Sequence, residues 1–110
     1  MTATLPELDK DTYWPFIREA TVAGVLLFAA WDPRYRSIES DLAALAVTLP
    51  AVRFAKLDGD DWNFSDLLKA TAVADLPCVL LYRRGEYAQT LNGVRGRDEY
   101  AAFLQALLNR

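Results

Sequence analysis

The chain has 110 residues, 53% of them apolar, 12% aromatic and 25% charged, which is one domain's worth of material with enough apolar surface for a packed core. That size and composition exclude a two-domain protein and an intrinsically disordered one. Twelve basic residues against fifteen acidic give a net charge of -3, which argues against a nucleic-acid binder dependent on a broad basic field.

The predicted elements follow one another with short turns between them. Asp9 or Asp11 can cap a first helix that carries Tyr13, Trp14, Phe16 and Ile17, all expected in the core, with Pro15 tolerable in its first turn. Val25-Leu26-Leu27-Phe28-Ala29 is an unbroken apolar run of strand length, as suits a central strand buried on both faces. Asp32-Pro33 is a capping acid before a proline favoured at the first helical position. It predicts a long helix over about 33–49, with Ile38, Leu42, Leu45, Ala46 and Leu49 on its inner face. Pro50 stops that helix, and residues 52–57 alternate with period two as a second strand. Asp58-Gly59-Asp60-Asp61 is a turn, and Ser65 can cap a third helix through Leu67, Leu68 and Val73, ended by Asp75-Leu76-Pro77. Cys78-Val79-Leu80-Leu81-Tyr82 reads as another buried strand. Arg83-Arg84-Gly85-Glu86 has the length and glycine of a hairpin turn, and residues 87–91 return as an antiparallel partner. Asn92-Gly93 and Gly96 end the sheet, and Tyr100, Phe103, Leu104, Leu107 and Leu108 stripe a last helix. The expected architecture is α/β: a mixed central sheet with helices on both faces, in a single domain over residues 1–110.

The one cysteine, Cys78, forbids an internal disulfide and a cysteine-rich metal site. Without histidine the usual zinc, copper and haem ligand sets are missing, as are a histidine general base and the Ser-His-Asp and Cys-His arrangements. No cofactor or metal is expected. The start of the chain lacks a basic region followed by an apolar one, and the longest apolar run, residues 22–31, is too short to span a bilayer. A cytoplasmic protein without membrane contact is the expectation.

The order of elements, Ala30-Trp31 ahead of the long helix, Phe54-Ala55-Lys56-Leu57 in the middle strand, Leu76-Pro77 opening the next strand, Arg84-Gly85-Glu86 in the hairpin and Gly93 beyond it together resemble thioredoxin over nearly the whole chain. The resemblance implies the thioredoxin fold and a cis bond at Leu76-Pro77. Where thioredoxins carry Trp-Cys-Gly-Pro-Cys-Lys, this chain has Trp31-Asp32-Pro33-Arg34-Tyr35-Arg36, so Asp32 and Tyr35 occupy the cysteine positions. Dithiol exchange needs an attacking thiolate and a resolving thiol, and neither is there. The family's buried proton-relay aspartate corresponds to Leu26, although Lys56, its partner in thioredoxins, is kept. Two degenerate subfamilies are similar at the site. Hydrogenase-maturation accessory proteins of this fold, which act as chaperones for a hydrogenase subunit, share an Asp-Pro and a Leu-Asn-Gly similar to Asp32-Pro33 and Leu91-Asn92-Gly93. A small spliceosomal thioredoxin-like protein shares a Trp-Asp-Pro and a Pro-Cys similar to residues 31–33 and 77–78.

Several side chains admit both a functional and a plain structural reading. Asp32 as a catalytic carboxylate competes with Asp32 as a helix cap. Cys78 as a lone reactive thiol competes with Cys78 as a small buried hydrophobe. Trp62 and Phe64 form either a second contact patch or a cap on the core. By the resemblance, Trp31, Asp32, Pro33, Arg34, Tyr35, Leu76, Pro77 and Gly93 line the former substrate groove, with Leu76 offering an N–H and a C=O to an extended peptide. The expected function is therefore a redox-inactive protein-binding or chaperone-like module, not an enzyme, whose partner is another protein or an extended peptide. A monothiol oxidoreductase acting through Cys78 and a structural or homodimerisation domain are the alternatives.

Overall fold

The computed structural model describes residues 4–61, 64–71, 73 and 75–110. Eight elements follow in order: α1 (Tyr13–Glu19), β1 (Val22–Phe28), α2 (Tyr35–Thr48), β2 (Val52–Asp58), α3 (Ser65–Ala70), β3 (Cys78–Arg83), β4 (Glu86–Asn92) and α4 (Arg97–Leu108). The four strands form one sheet in the order β2-β1-β3-β4. β1 runs parallel to β2 and antiparallel to β3, and β3 runs antiparallel to β4. The sheet is mixed, as the sequence predicts, and every residue of β1 is buried because strands flank it and helices cover both its faces.

Alternation along the strands divides the interior in two. Val22, Leu26 and Phe28 of β1 join Val79 and Leu81 of β3 under α2 and α4, which contribute Ile38, Leu42, Leu45, Tyr100, Leu104 and Leu107. Ala23, Val25 and Leu27 point the other way with Cys78, Leu80 and Tyr82, and meet Tyr13, Phe16, Ile17 and Phe64 from the α1 and α3 side. Phe64 therefore closes the core beside Tyr13, at 5.7 Å between ring centroids. Trp62, expected to act with it, lies outside the described residues.

Four local expectations need correction. Trp14 is 46% exposed, because on a short helix only the stripe of Tyr13, Phe16 and Ile17 faces the sheet. Ala46 likewise turns to solvent, one position beyond the buried edge of α2 at Leu45. Ser65 makes no capping bond: it is the first residue of α3, and Phe64 occupies the cap position. At the start of α1 neither Asp9 nor Asp11 is the cap: Thr12 holds that position without a side-chain bond, and Asp9 braces the turn ahead of the helix. Its Oδ1 accepts the N–H groups of Asp11 and Thr12 at 2.8 and 2.9 Å, while the Thr12 hydroxyl accepts the Asp9 N–H at 2.9 Å. Those backbone donors are the main reason the Asp9 carboxyl lies below its usual pKa.

The hairpin loop is Arg84-Gly85, with both residues at positive φ, 53° and 81°. That pair of left-handed conformations matches the twist of the flanking strands. The segment before α1, which carried no predicted element, runs along β2: Leu8 N–H donates to Lys56 O at 2.8 Å and Lys56 N–H to Pro6 O at 2.9 Å. These two bonds cover part of the β2 edge.

Candidate functional site

The groove residues gather at the end of the sheet where β1 gives way to α2. The Leu76–Pro77 peptide bond there is cis. β1 ends at Phe28, and Asp32 N–H closes a turn onto Ala29 O at 3.0 Å, which throws Trp31 outward. The Trp31 side chain is 77% exposed, yet its orientation is fixed, since Nε1–H donates to Asp60 Oδ2 at 2.9 Å. Asp60 is held in turn by its own N–H, which donates to Asp58 Oδ1 at 2.9 Å. Gly59 N–H donates to Phe28 O at 2.8 Å, tying this loop to β1. Gly59 is also where the Leu76 side chain seats: a Cβ at 59 would lie 2.8 Å from Leu76 Cδ1, so a side chain there would push the Leu76 methyl groups aside.

Asp32 is almost fully covered, and Arg34 accounts for its charge. Arg34 Nε–H donates to Asp32 Oδ2 at 2.9 Å and Nη2–H donates to the same oxygen at 2.7 Å, while the Arg34 backbone N–H reaches Oδ1 at 3.1 Å. These bonds, the guanidinium's first, hold the Asp32 carboxyl below its ordinary range and push the Arg34 pKa up. The cap role expected of Asp32 is thus only partly realised. α2 begins at Tyr35, after a tight turn in which Arg36 N–H donates to Pro33 O at 3.1 Å, and the carboxylate takes a charge-assisted fork in preference to the helix's free N–H groups. Arg34 Nη2 also donates to Leu76 O at 2.9 Å. The carbonyl that the resemblance offers to a bound peptide is therefore already engaged by this chain's own guanidinium.

The remaining groove residues divide. Gly93, at φ 78°, donates its N–H to Pro77 O at 3.1 Å, so the loop after β4 sits beside Pro77. Pro33 is exposed. Tyr35 turns inward, its ring 4.8 Å from that of Phe28, and belongs more to the core than to the surface.

Cys78 is fully buried on the α1/α3 side of β3. Burial first, and the negative field of Asp75 second, push its thiol from an ordinary 9.0 up to about 12. A reactive thiolate needs the opposite on both counts, exposure and a cationic neighbour. The opposing carboxylate is Asp75.

Lys56 has a new partner. With leucine at position 26, its Nζ lies 3.0 Å from Glu39 Oε2 and 5.5 Å from the centre of the Phe28 ring. The same Glu39 oxygen accepts the Leu5 N–H at 2.7 Å. Sequence reasoning overlooked Glu39, although it falls with Tyr35, Ile38 and Leu42 on one helical stripe, where a carboxylate among apolar residues is itself a signal. Asp60 and Gly59 were read only as turn formers. Among the described residues no group of acidic or cysteine side chains is placed to hold a metal ion.

This geometry agrees with what the chain is similar to. The family profile described as thioredoxin matches residues 5–106. Spinach chloroplast thioredoxin f in its long form superposes with a TM-score of 0.82 at 21% identity, over 97% of this chain and 88% of that one. A mutant thioredoxin from Halobacterium salinarum gives 0.81 at 18% identity, over 96% and 92%. Thioredoxin f2 of Chlamydomonas reinhardtii gives 0.77 at 27% identity, over 93% and 94%. No sequence among curated proteins matches the chain. The fold is the thioredoxin fold, with Asp32 and Tyr35 where the family's two thiols stand. The chain belongs to the thioredoxin family.

Proposed function

We propose that this protein, with residues 1–110 acting as one domain, is a redox-inactive thioredoxin-fold module that binds a segment of another protein on the face built by Trp31, Leu76, Pro77 and Gly93. The observation that carries this reading is Trp31: a large indole, 77% exposed, and locked at its Nε1 by Asp60. An exposed aromatic that is already ordered can become buried on docking at little further entropic cost. Half-buried Leu76 and exposed Val94 extend the apolar surface. The Arg34 bond to Leu76 O shifts the expected contact from main-chain pairing towards side-chain docking. The buried, proton-retaining Cys78 counts against monothiol chemistry. The likeness of Asp32-Pro33 and Leu91-Asn92-Gly93 to the hydrogenase-maturation accessory proteins favours a chaperone-like role of that kind. The proposed setting is the cytoplasm, since a lone buried cysteine asks for no oxidising compartment.

The test compares the immobilised domain with its Trp31→Ala/Leu76→Ala variant as bait for cell extract. Proteins retained by the wild type should be lost from the variant, whose circular dichroism should stay native, since Trp31 is solvent-facing and Leu76 is only partly buried against the core. Equal retention by both baits would refute the reading. Concentration-dependent sedimentation with no retained protein would favour the dimerisation alternative.

A further inference from the structure

We infer that the segment docking on Trp31 presents an arginine or lysine side chain to the indole face; this inference rests on the binding-module reading above. The occupant is chosen by the charge around the ring. Asp58 and Asp60 lie on the loop that holds the indole, and Asp75 adjoins Leu76, whose side chain packs over Gly59 of that same loop. Among the described residues no ion pair engages Asp58, Asp60 or Asp75. Arg34 is paired with Asp32, and of the cations close in sequence to these residues only Arg36 and Lys69 stand outside the ion pairs of the described residues. A carboxylate-bearing partner would meet this field as repulsion, and a cationic one as attraction.

The indole supplies the matching surface. Its face carries the negative part of the ring quadrupole, and tryptophan is the strongest aromatic partner for a guanidinium or ammonium. Asp60 uses Oδ2 on the indole N–H, which places its carboxylate at the ring's edge, where the charge of a stacked guanidinium would be met. Meanwhile the Leu76 carbonyl is engaged by Arg34, so main-chain pairing is short of an acceptor and selectivity falls to the side chain.

Two synthetic nonapeptides with blocked ends serve as probes: Gly-Ser-Arg repeated three times, and Gly-Ser-Glu repeated three times. Binding is followed at the Trp31 indole N–H resonance of the isotopically labelled full chain, assigned with Trp31→Phe. The arginine peptide should shift that resonance saturably and bind at least about tenfold more tightly than the glutamate peptide. Its affinity should fall several-fold between about 50 mM and about 200 mM salt. Trp31→Ala, titrated beside the wild type by isothermal calorimetry because it lacks the indole signal, should weaken it about tenfold, and Asp60→Asn, which keeps an oxygen for the indole, should weaken it several-fold. Equal binding of the two peptides, or unchanged binding to Trp31→Ala, overturns the inference. If the arginine peptide leaves Trp31 unmoved while protein capture still depends on Trp31 and Leu76, the charge selectivity is wrong and the binding module stands. If the arginine peptide binds at Trp31 but capture ignores both residues, the selectivity stands and the module reading falls.

Discussion

Asp32 stands where a nucleophilic cysteine would, and Arg34 absorbs its charge. The replacement of the thiols was visible in the sequence. The clamp that results was not, because its far end, Leu76 O, is 42 residues away and a backbone carbonyl leaves no mark in a sequence. Cys78 was ambiguous for a related reason: its residue type fits both a nucleophile and a core side chain, and only its burial decides. That burial has a pH signature. The folded thiol keeps its proton to about 12, whereas an exposed thiol in the unfolded chain ionises near 9.0. Between those values the unfolded state has lost a proton that the native state retains, so stability falls as pH rises. Urea unfolding of Cys78→Ala should show a shallower decline over that interval than the wild type, whatever its lower absolute stability from the lost packing. Alkylation of Cys78 should be slow in the folded protein and accelerate in urea. Fast alkylation at neutral pH in the native state would revive the monothiol reading.

At the scale of elements, the helices and strands with long apolar runs were legible and their ends were not. α2 begins two positions later than Asp32-Pro33 suggested, since the carboxylate is drawn to a guanidinium that local rules ignore. The hairpin turn was placed correctly, but nothing in the sequence marked Arg84 as a residue in the left-handed region, where asparagine or glycine is usual. The buried Glu39–Lys56 pair was the largest omission. It joins α2, β2 and the segment around Leu5 in one set of bonds. Removing one member of such a pair leaves the other charge buried and uncompensated, which costs more than replacing both. Lys56→Met should therefore destabilise the protein by about 3 kcal/mol, less for the remaining solvent access of the lysine. The Glu39→Gln/Lys56→Met double variant should recover much of that loss. A double-mutant cycle in urea reads the coupling, and additive single losses would show that the two side chains act independently.

For the whole molecule, topology was the most legible property, because period two, period 3.6 and the unbroken apolar run of β1 each admit few arrangements. The pairing of the N-terminal segment with β2 was missed: it is short, contains Pro6, lacks period-two alternation, and is held by main-chain bonds. One sheet serves two interiors, so damage to either should be felt by both. Leu26 and Leu27 are adjacent, equally buried and opposite in direction. Leu26→Ala and Leu27→Ala should each cost about 2–5 kcal/mol. Each variant should unfold in a single transition when followed by circular dichroism and by tryptophan fluorescence. Two separated transitions would mean that the layers fold apart.

Tyr35 carries a last consequence, for reversibility. Its ring packs on Phe28, so the position that would hold a resolving thiol is now a structural support. Cysteine at 35 would open a gap beneath α2, and cysteine at 32 would strip Arg34 of its counter-charge. An acid restored at 26 would be set into an apolar layer, while the lysine across the sheet already belongs to Glu39. Each single substitution towards a dithiol site is thus a loss when taken alone, so the packing around these positions itself opposes the installation of one.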